Sequence, residues 1–189
     1  MEEKNPQVKL DNENMLVAQA KTDDRAFATL YDFYFPKIYF FVLKRTGQKE
    51  TTEDIVSAVF MKVFTGLKDF RPNHDNSFAA WIYRIASNKL TDHYRQAGRR
   101  PVVDIASIAE PRDENQDPQA DAVRQYDRVI VEEALSRLSV RDQELLQLKF
   151  FSELSNIEIA QTLKTSPNNV GVWLYRALKR FQEIYQKYE

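Results

Sequence analysis

Apolar residues along this chain return every three or four positions, and no stretch alternates apolar with polar residues long enough to predict a strand. The pattern predicts an all-α protein. Asn14 to Ala20 form a short first helix. Thr22 or Asp23 caps a second, whose Phe27, Leu30, Tyr31 and Tyr34 lie at helical spacing. Pro36 suits the first turn of a third, where its missing N–H costs nothing; that helix carries Ile38, Phe41, Val42 and Arg45 and stops at Gly47. Thr51 or Thr52 caps the next, with Glu53 and Asp54 near its positive end. Ile55, Val56, Val59, Phe60, Val63, Phe64 and Leu67 then spread over an arc of about 180°, wider than the ~100° one core contact needs. Two readings stay open: a helix packed on two neighbours, or one that leaves a face including Asp54, Ser57 and Met61 for a partner protein.

The stretch SFAAWIYRIASNKLTDHYRQAGRRP, from Ser77 to Pro101, has two distinct faces. Ser77 is its N-cap and Gly98 its left-handed stop. Phe78, Ile82, Ile85, Ala86 and Leu90 make an apolar stripe at about 100° per residue. Arg84, Asn88, Thr91 and Arg95 share another side, with Trp81 at its edge and Arg99 and Arg100 following. Five basic side chains against one acid, Asp92, occur between Arg84 and Arg100. Cations, an amide and an aromatic on one helical face suit a partner that is anionic and stackable, namely nucleic acid.

From Pro101 to about Asp121 the periodicity dissolves into prolines and acids, a linker composition. A second helical block follows. Val129 to Leu138 form one helix. Ser139 with Asp142, and Ser155 with Glu158, read as capping boxes for the next two. Leu145, Leu146, Leu148 and Phe150 belong to the first of these, Ile157, Ile159, Ala160 and Leu163 to the second. A short Lys-Thr-Ser turn meets Pro167 at the start of a final helix running towards Tyr188. Helix, tight turn, longer helix is the helix-turn-helix arrangement, which sets its second helix in the major groove. Ile159, Ala160 and Leu163 are expected to pack on Val170, Leu174, Ala177 and Phe181. Ser166, Asn168, Asn169, Gly171, Val172, Tyr175, Arg176 and Lys179 are left on faces that can meet DNA.

Charge sharpens the picture. The chain of 189 residues has a net charge of −1, which argues against a protein that coats nucleic acid non-specifically. Residues 1–100 carry 16 basic and 13 acidic side chains, 101–133 carry 3 and 9, and 134–189 carry 8 and 6. Two mildly basic blocks therefore flank an acidic segment. With no cysteine, disulfides and thiolate metal sites are excluded. The N-terminus lacks an apolar signal core, and no apolar run approaches the roughly 18 residues of a membrane span, so a cytoplasmic protein without membrane insertion is expected. The two histidines, His74 and His93, stand apart, with no phosphate-binding glycine loop and no metal cluster, so neither a catalytic site nor a cofactor or metal is expected.

Taken together, the two blocks resemble sigma factors of bacterial RNA polymerase, specifically the small extracytoplasmic-function group, from about Asp23 onwards. TTEDIVSAVFMKVF looks like the family's polymerase-binding helix, and SFAAWIYRIASNKLTDHYR like its promoter-melting, −10-reading helix. LSRLSVRDQELLQLKFFSELSNIEIAQTLKTSPNNVGVWLYRALKRF is similar to the −35-reading domain. The resemblance implies a core-binding and −10 domain at residues 1–100, an acidic linker at 101–125 and a −35 domain at 126–189. It places Asp54, Ser57, Phe60 and Met61 against core polymerase. Trp81, Arg84, Asn88, Asp92, Arg95, Arg99 and Arg100 fall on the −10 and melting surface, and Phe70, His74 and Asn76 around a flipped base. Promoter DNA, core polymerase and an anti-sigma protein are the implied partners. Ser57 and Ala58 stand where the family often has glutamine and glutamate, and Lys164 where it has a turn glycine. Gly171, Val172 and Trp173 replace the family's usual lysine, serine and arginine, so an altered −35 preference is expected. The competing reading is a stand-alone helix-turn-helix regulator; the basic, aromatic helix ending at Arg100 argues against it, since a sensory domain has no need of that face.

Overall fold

The computed structural model describes residues 12–72, 77–96 and 129–188. His74, Asn76, Gly98, Arg99, Arg100 and the acidic linker lie outside the described residues. Within them, regular structure is helical: α1 (Glu13–Gln19), α2 (Asp24–Thr46), α3 (Lys49–Gly66), α4 (Phe78–Gln96), α5 (129–136), α6 (Val140–Leu146), a π-helical turn (Gln147–Phe151), α7 (Asn156–Leu163) and α8 (Pro167–Tyr185).

Local chemistry starts and stops these helices. The Asp23 carboxylate accepts from the Arg25 N–H, and Gly47 closes α2 in the left-handed region at φ 62°. Ser77 Oγ accepts from the Ala80 N–H and so caps α4. Ser155 and Glu158 form the full reciprocal capping box of α7. Ser166 caps α8 through the Asn169 N–H, with Pro167 in the first turn.

Three expected boundaries are corrected. Pro36 does not open a new helix; α2 runs unbroken through it for 23 residues. Pro36 and Asp32 are both exposed, so the Asp32 carbonyl that the proline leaves unpaired can be hydrated. Neither Thr51 nor Thr52 caps α3, which begins at Lys49 after Gln48. Thr52 is buried and its hydroxyl bonds the Gln48 carbonyl and the Thr46 hydroxyl instead. The Ser139–Asp142 pair is only half a capping box. Ser139 Oγ accepts from the Asp142 N–H, but the Asp142 carboxylate takes the Ser139 hydroxyl and a bidentate Arg180 guanidinium. Aspartate is one methylene shorter than the glutamate that reaches back in Ser155–Glu158.

The π-helical turn also changes the expected pattern. Its extra residue per turn keeps Gln147 and Leu148 buried while Phe150 and Phe151 emerge, each more than half exposed. Lys44 of α2 stands over the Phe151 ring at 4.3 Å.

One apolar core runs through both helical groups, from Val17 and Leu30 to Val170 and Ala177. The groups meet along α4 and α7. Small residues on α4, Ala80 and Ser87, permit the close approach; Thr162 Oγ1 donates to the Ala80 carbonyl at 3.3 Å. Ser77 Oγ donates to Glu158 at 3.1 Å, joining the caps of α4 and α7. Gln147 donates to the Phe41 carbonyl across the same seam. At its centre Glu144 of α6 accepts from Ser87 at 2.9 Å and from Arg45 at 3.3 Å. Arg45 is 5% exposed, with its guanidinium against the Phe41 ring. Burial lowers its pKa, and the Glu144 carboxylate works against that shift.

Removing the carboxylate strands this guanidinium. Glu144→Ala is expected to cost about 3 kcal/mol, the lower part of the range for breaking a buried pair, because the Glu144 side chain is 22% exposed. Urea unfolding of the full chain measures it, and Glu144→Gln, which still accepts from Ser87, should cost less.

Candidate nucleic-acid interface

The first surface is on α4. Phe78, Ala80, Ile82, Tyr83, Ile85, Ala86, Ser87 and Leu90 are buried, so α3 and α7 cover two of its sides. What remains is a narrow stripe bearing Arg84, Asn88, Thr91 and Arg95, with Trp81 and Asp92 on its flank. Arg95 and Asp92 form an exposed ion pair with each other. Such a pair is worth only about 0.2–1 kcal/mol, so exchanging it for a phosphate is cheap. Trp81 is half-buried: its indole stacks on Phe70 at 4.6 Å and packs over Gly66. Tyr94 behind the stripe donates its hydroxyl to the Arg45 carbonyl.

Phe70 is corrected. It is 5% exposed, stacked on Trp81 and edge-on to Phe78, leaving no open ring face for an unstacked base. The short turn after α3 tucks it under α4, and Lys21 ties its carbonyl from outside. Its role is to support the Trp81 indole. The resemblance places Phe70 beside a flipped base, and only the tertiary packing shows its ring to be covered.

The second surface is on α3. Asp54, Ser57 and Met61 are exposed along one stripe, Met61 at 65%. Phe60 is corrected: at 7% exposure it packs against Tyr31 and Phe35 and belongs to the core. Phe64 takes the outward place. It is 55% exposed, touches Phe27 edge-on at 5.1 Å, and continues the Asp54–Ser57–Met61 stripe at helical spacing. The i+3 step from Met61 was the available signal.

The third surface is on α8. Val170, Leu174 and Ala177 are buried, with Phe181 packed beside them, so the opposite side faces out. It carries Asn168, Asn169, Val172, Tyr175, Arg176 and Lys179, all exposed. Their amides and cations differ in freedom. Asn169 donates its side-chain N–H to Thr165 and its backbone N–H to Ser166, so it and Ser166 hold the start of the helix. Asn168 has no such tie among the described residues. Gly171 lies to the side of this face, and a Cβ built there meets open space.

Beside α8 lies a basic cleft that the sequence pattern did not reveal. It has a volume of about 570 Å³ between α6, α8 and the turn that follows α5. Arg137, Arg141, Arg176 and Lys187 line it around Trp173 and the Arg180–Asp142 pair. Arg141 stacks over the Trp173 ring at 3.8 Å, which fixes Trp173 against α6 rather than on the outer face. These cations come from α6, α8, the turn after α5 and the segment after α8, so no single helical wheel shows them together.

Between α7 and α8, Lys164 adopts a left-handed conformation with φ 54° and ψ 52°. Among the described residues no group of acids, histidines and cysteines is placed to hold a metal, and no helix is long and apolar enough to cross a membrane.

The chain matches the family Sigma-70 region 2 over residues 30–100 and Sigma-70, region 4 over residues 128–181. It is 30% identical over 149 residues to the RNA polymerase sigma factor YlaC of Bacillus subtilis, covering 78% of this chain and 85% of that protein. It is 28% identical over 165 residues to the ECF RNA polymerase sigma factor SigW of the same organism, covering 82% and 87%. With the ECF RNA polymerase sigma factor BldN of Streptomyces coelicolor it shares 27% identity over 167 residues, and it spans 62% of that longer protein. Its fold is similar to that of CnrH in complex with the cytosolic domain of CnrY, with a TM-score of 0.66 over 94% of this chain and 99% of that one, at 24% identity. It is also similar to the sigma factor RpoE of Bartonella quintana in complex with the anti-sigma factor NepR, with a TM-score of 0.62 over 85% and 96%, at 20% identity.

The left-handed Lys164 is a place where the turn can be improved. Lys164→Gly removes the Cβ strain of that conformation and is expected to stabilise the chain by about 1 kcal/mol. A rise in the thermal midpoint is the measurement, and a fall would show that the lysine side chain compensates.

Proposed function

Since the chain belongs to the extracytoplasmic-function group of RNA polymerase sigma factors, we propose that it docks core polymerase through α3, melts promoter DNA along α4 and reads the −35 element with α8. The observation that carries this reading is the coexistence of three outward stripes of different chemistry on one small helical protein. The α3 stripe, Asp54, Ser57, Met61 and Phe64, mixes acid with large apolar groups and suits a protein partner. The α4 stripe, Arg84, Asn88 and Arg95 with Trp81, suits a strand whose bases have left the stack. The α8 face presents an amide and cations as a helix in the major groove requires.

The domain limits follow the same division. Residues 1–100 serve core binding and −10 opening, 126–189 serve the −35 element, and 101–125 link them. His74, Asn76, Arg99 and Arg100 are assigned to the −10 surface on the resemblance alone. On this reading the basic cleft extends the −35 surface towards the DNA backbone, with Arg141 and Lys187 holding phosphates while Arg176 approaches a base; Arg137 is ion-paired with Glu133. The protein works without chemistry of its own and in the cytoplasm. Each DNA surface is modest, and core polymerase, by fixing both on one template, raises their effective concentration. The stripes that engage polymerase and DNA are also those an anti-sigma protein would mask.

Three measurements test this. Met61→Asp should abolish capture of core polymerase in a pull-down while leaving the fold intact, because Met61 is 65% exposed; undiminished capture would remove α3 from the docking role. Arg176→Ala should weaken −35 recognition by about 1–3 kcal/mol while sparing core binding. Arg141→Ala should weaken holoenzyme binding on all promoters alike and lower the salt slope by about one unit.

A further inference from the structure

The exposed face of α8 is built around an apolar side chain. Val172 is 48% exposed and lies opposite the buried stripe of Val170, Leu174 and Ala177. Asn168 stands one turn before it, Arg176 one turn after, and Tyr175, 70% exposed, beside it. A solitary exposed valine needs no explanation. A valine at the middle of a face whose rim carries an amide and two cations is different, because the groove it would meet has one apolar feature. That feature is the C5-methyl group of thymine.

Resting on the −35 reading above, we propose that Val172 is a specificity-determining residue that recognises a thymine methyl in the upstream promoter element. The neighbouring residues define the rest of the site. Asn168, whose amide is not held by another described residue, is free to make the bidentate contact to an adenine edge. Asn169 is not equivalent, since Thr165 already occupies one of its N–H groups. Side chains at i and i+4 are about 5–6 Å apart and base pairs rise 3.4 Å, so the adenine lies within about two base pairs of the thymine. Arg176 extends the face by one more turn towards a guanine or a phosphate. The element is therefore A·T-bearing where α8 is centred, and the serine common at this position in the family would forgo the methyl contact.

The test uses holoenzyme assembled from core polymerase and the full chain. The upstream element is first selected from random duplexes, and each thymine is then replaced singly by deoxyuridine, which keeps base pairing but lacks the methyl. One thymine of the upstream element should show about a fourfold loss of binding, the equivalent of about 0.8 kcal/mol for a buried methyl. V172A and V172S should bind thymine and deoxyuridine templates equally, whereas V172T, which keeps a γ-methyl, should retain the discrimination. Insensitivity of the wild-type holoenzyme to every upstream thymine methyl would overturn the proposal, as would undiminished discrimination by V172A. If no upstream element is enriched at all and wild type and V172A behave alike on every template, the −35 reading itself fails, a result distinct from an enriched element without methyl dependence.

Discussion

The bridge from Glu144 to Arg45 and Ser87 holds the two helical groups in one arrangement. Apolar packing along α4 and α7 supplies attraction but little direction, since small residues such as Ala80 tolerate several alignments. A carboxylate that must meet a buried guanidinium at 3.3 Å and a serine at 2.9 Å tolerates one. The Ser77–Glu158 and Thr162–Ala80 hydrogen bonds repeat the constraint further along the seam. With α7 fixed over Ala80 and Ser87 and α3 over the opposite side, α4 has only the Arg84–Arg95 stripe left to present. The same seam decides which residues are available for function and which are used for packing.

The amphipathic pattern made most of the fold legible. Asp23, Gly47, Ser77, Ser155 and Pro167 act where the sequence places them, because capping and turn chemistry is local. The misplaced boundaries have tertiary causes. Pro36 stays inside α2 because Leu30, Tyr34, Ile38 and Phe41 bury one continuous stripe across it. Thr52 leaves the capping role because its hydroxyl is taken into the buried contact with Thr46.

The candidate surfaces were legible in proportion to how far each lies on a single helix. The α8 face and the α4 stripe follow from helical spacing, as does Met61. The contacts that the resemblance implies for Phe60 and Phe70 do not fit their burial, because a family motif does not show whether an aromatic turns in or out. Tyr31, Phe35 and Trp81, which decide the question, come from other elements or other turns. The basic cleft was invisible for the same reason: Arg137, Arg141, Arg176 and Lys187 meet only after α5, α6 and α8 pack.

Gly171 carries a consequence for how this protein can change over evolutionary time. A side chain added there enters open space at the shoulder of α8, and a glycine inside a helix costs roughly 0.5–1 kcal/mol relative to alanine. Most routes to a new DNA preference lose stability and need compensation elsewhere. On the proposed docking of α8, a single substitution here adds a contact to DNA while making the helix firmer. On the −35 reading proposed above, promoter preference at this shoulder can drift without a loss of helix stability.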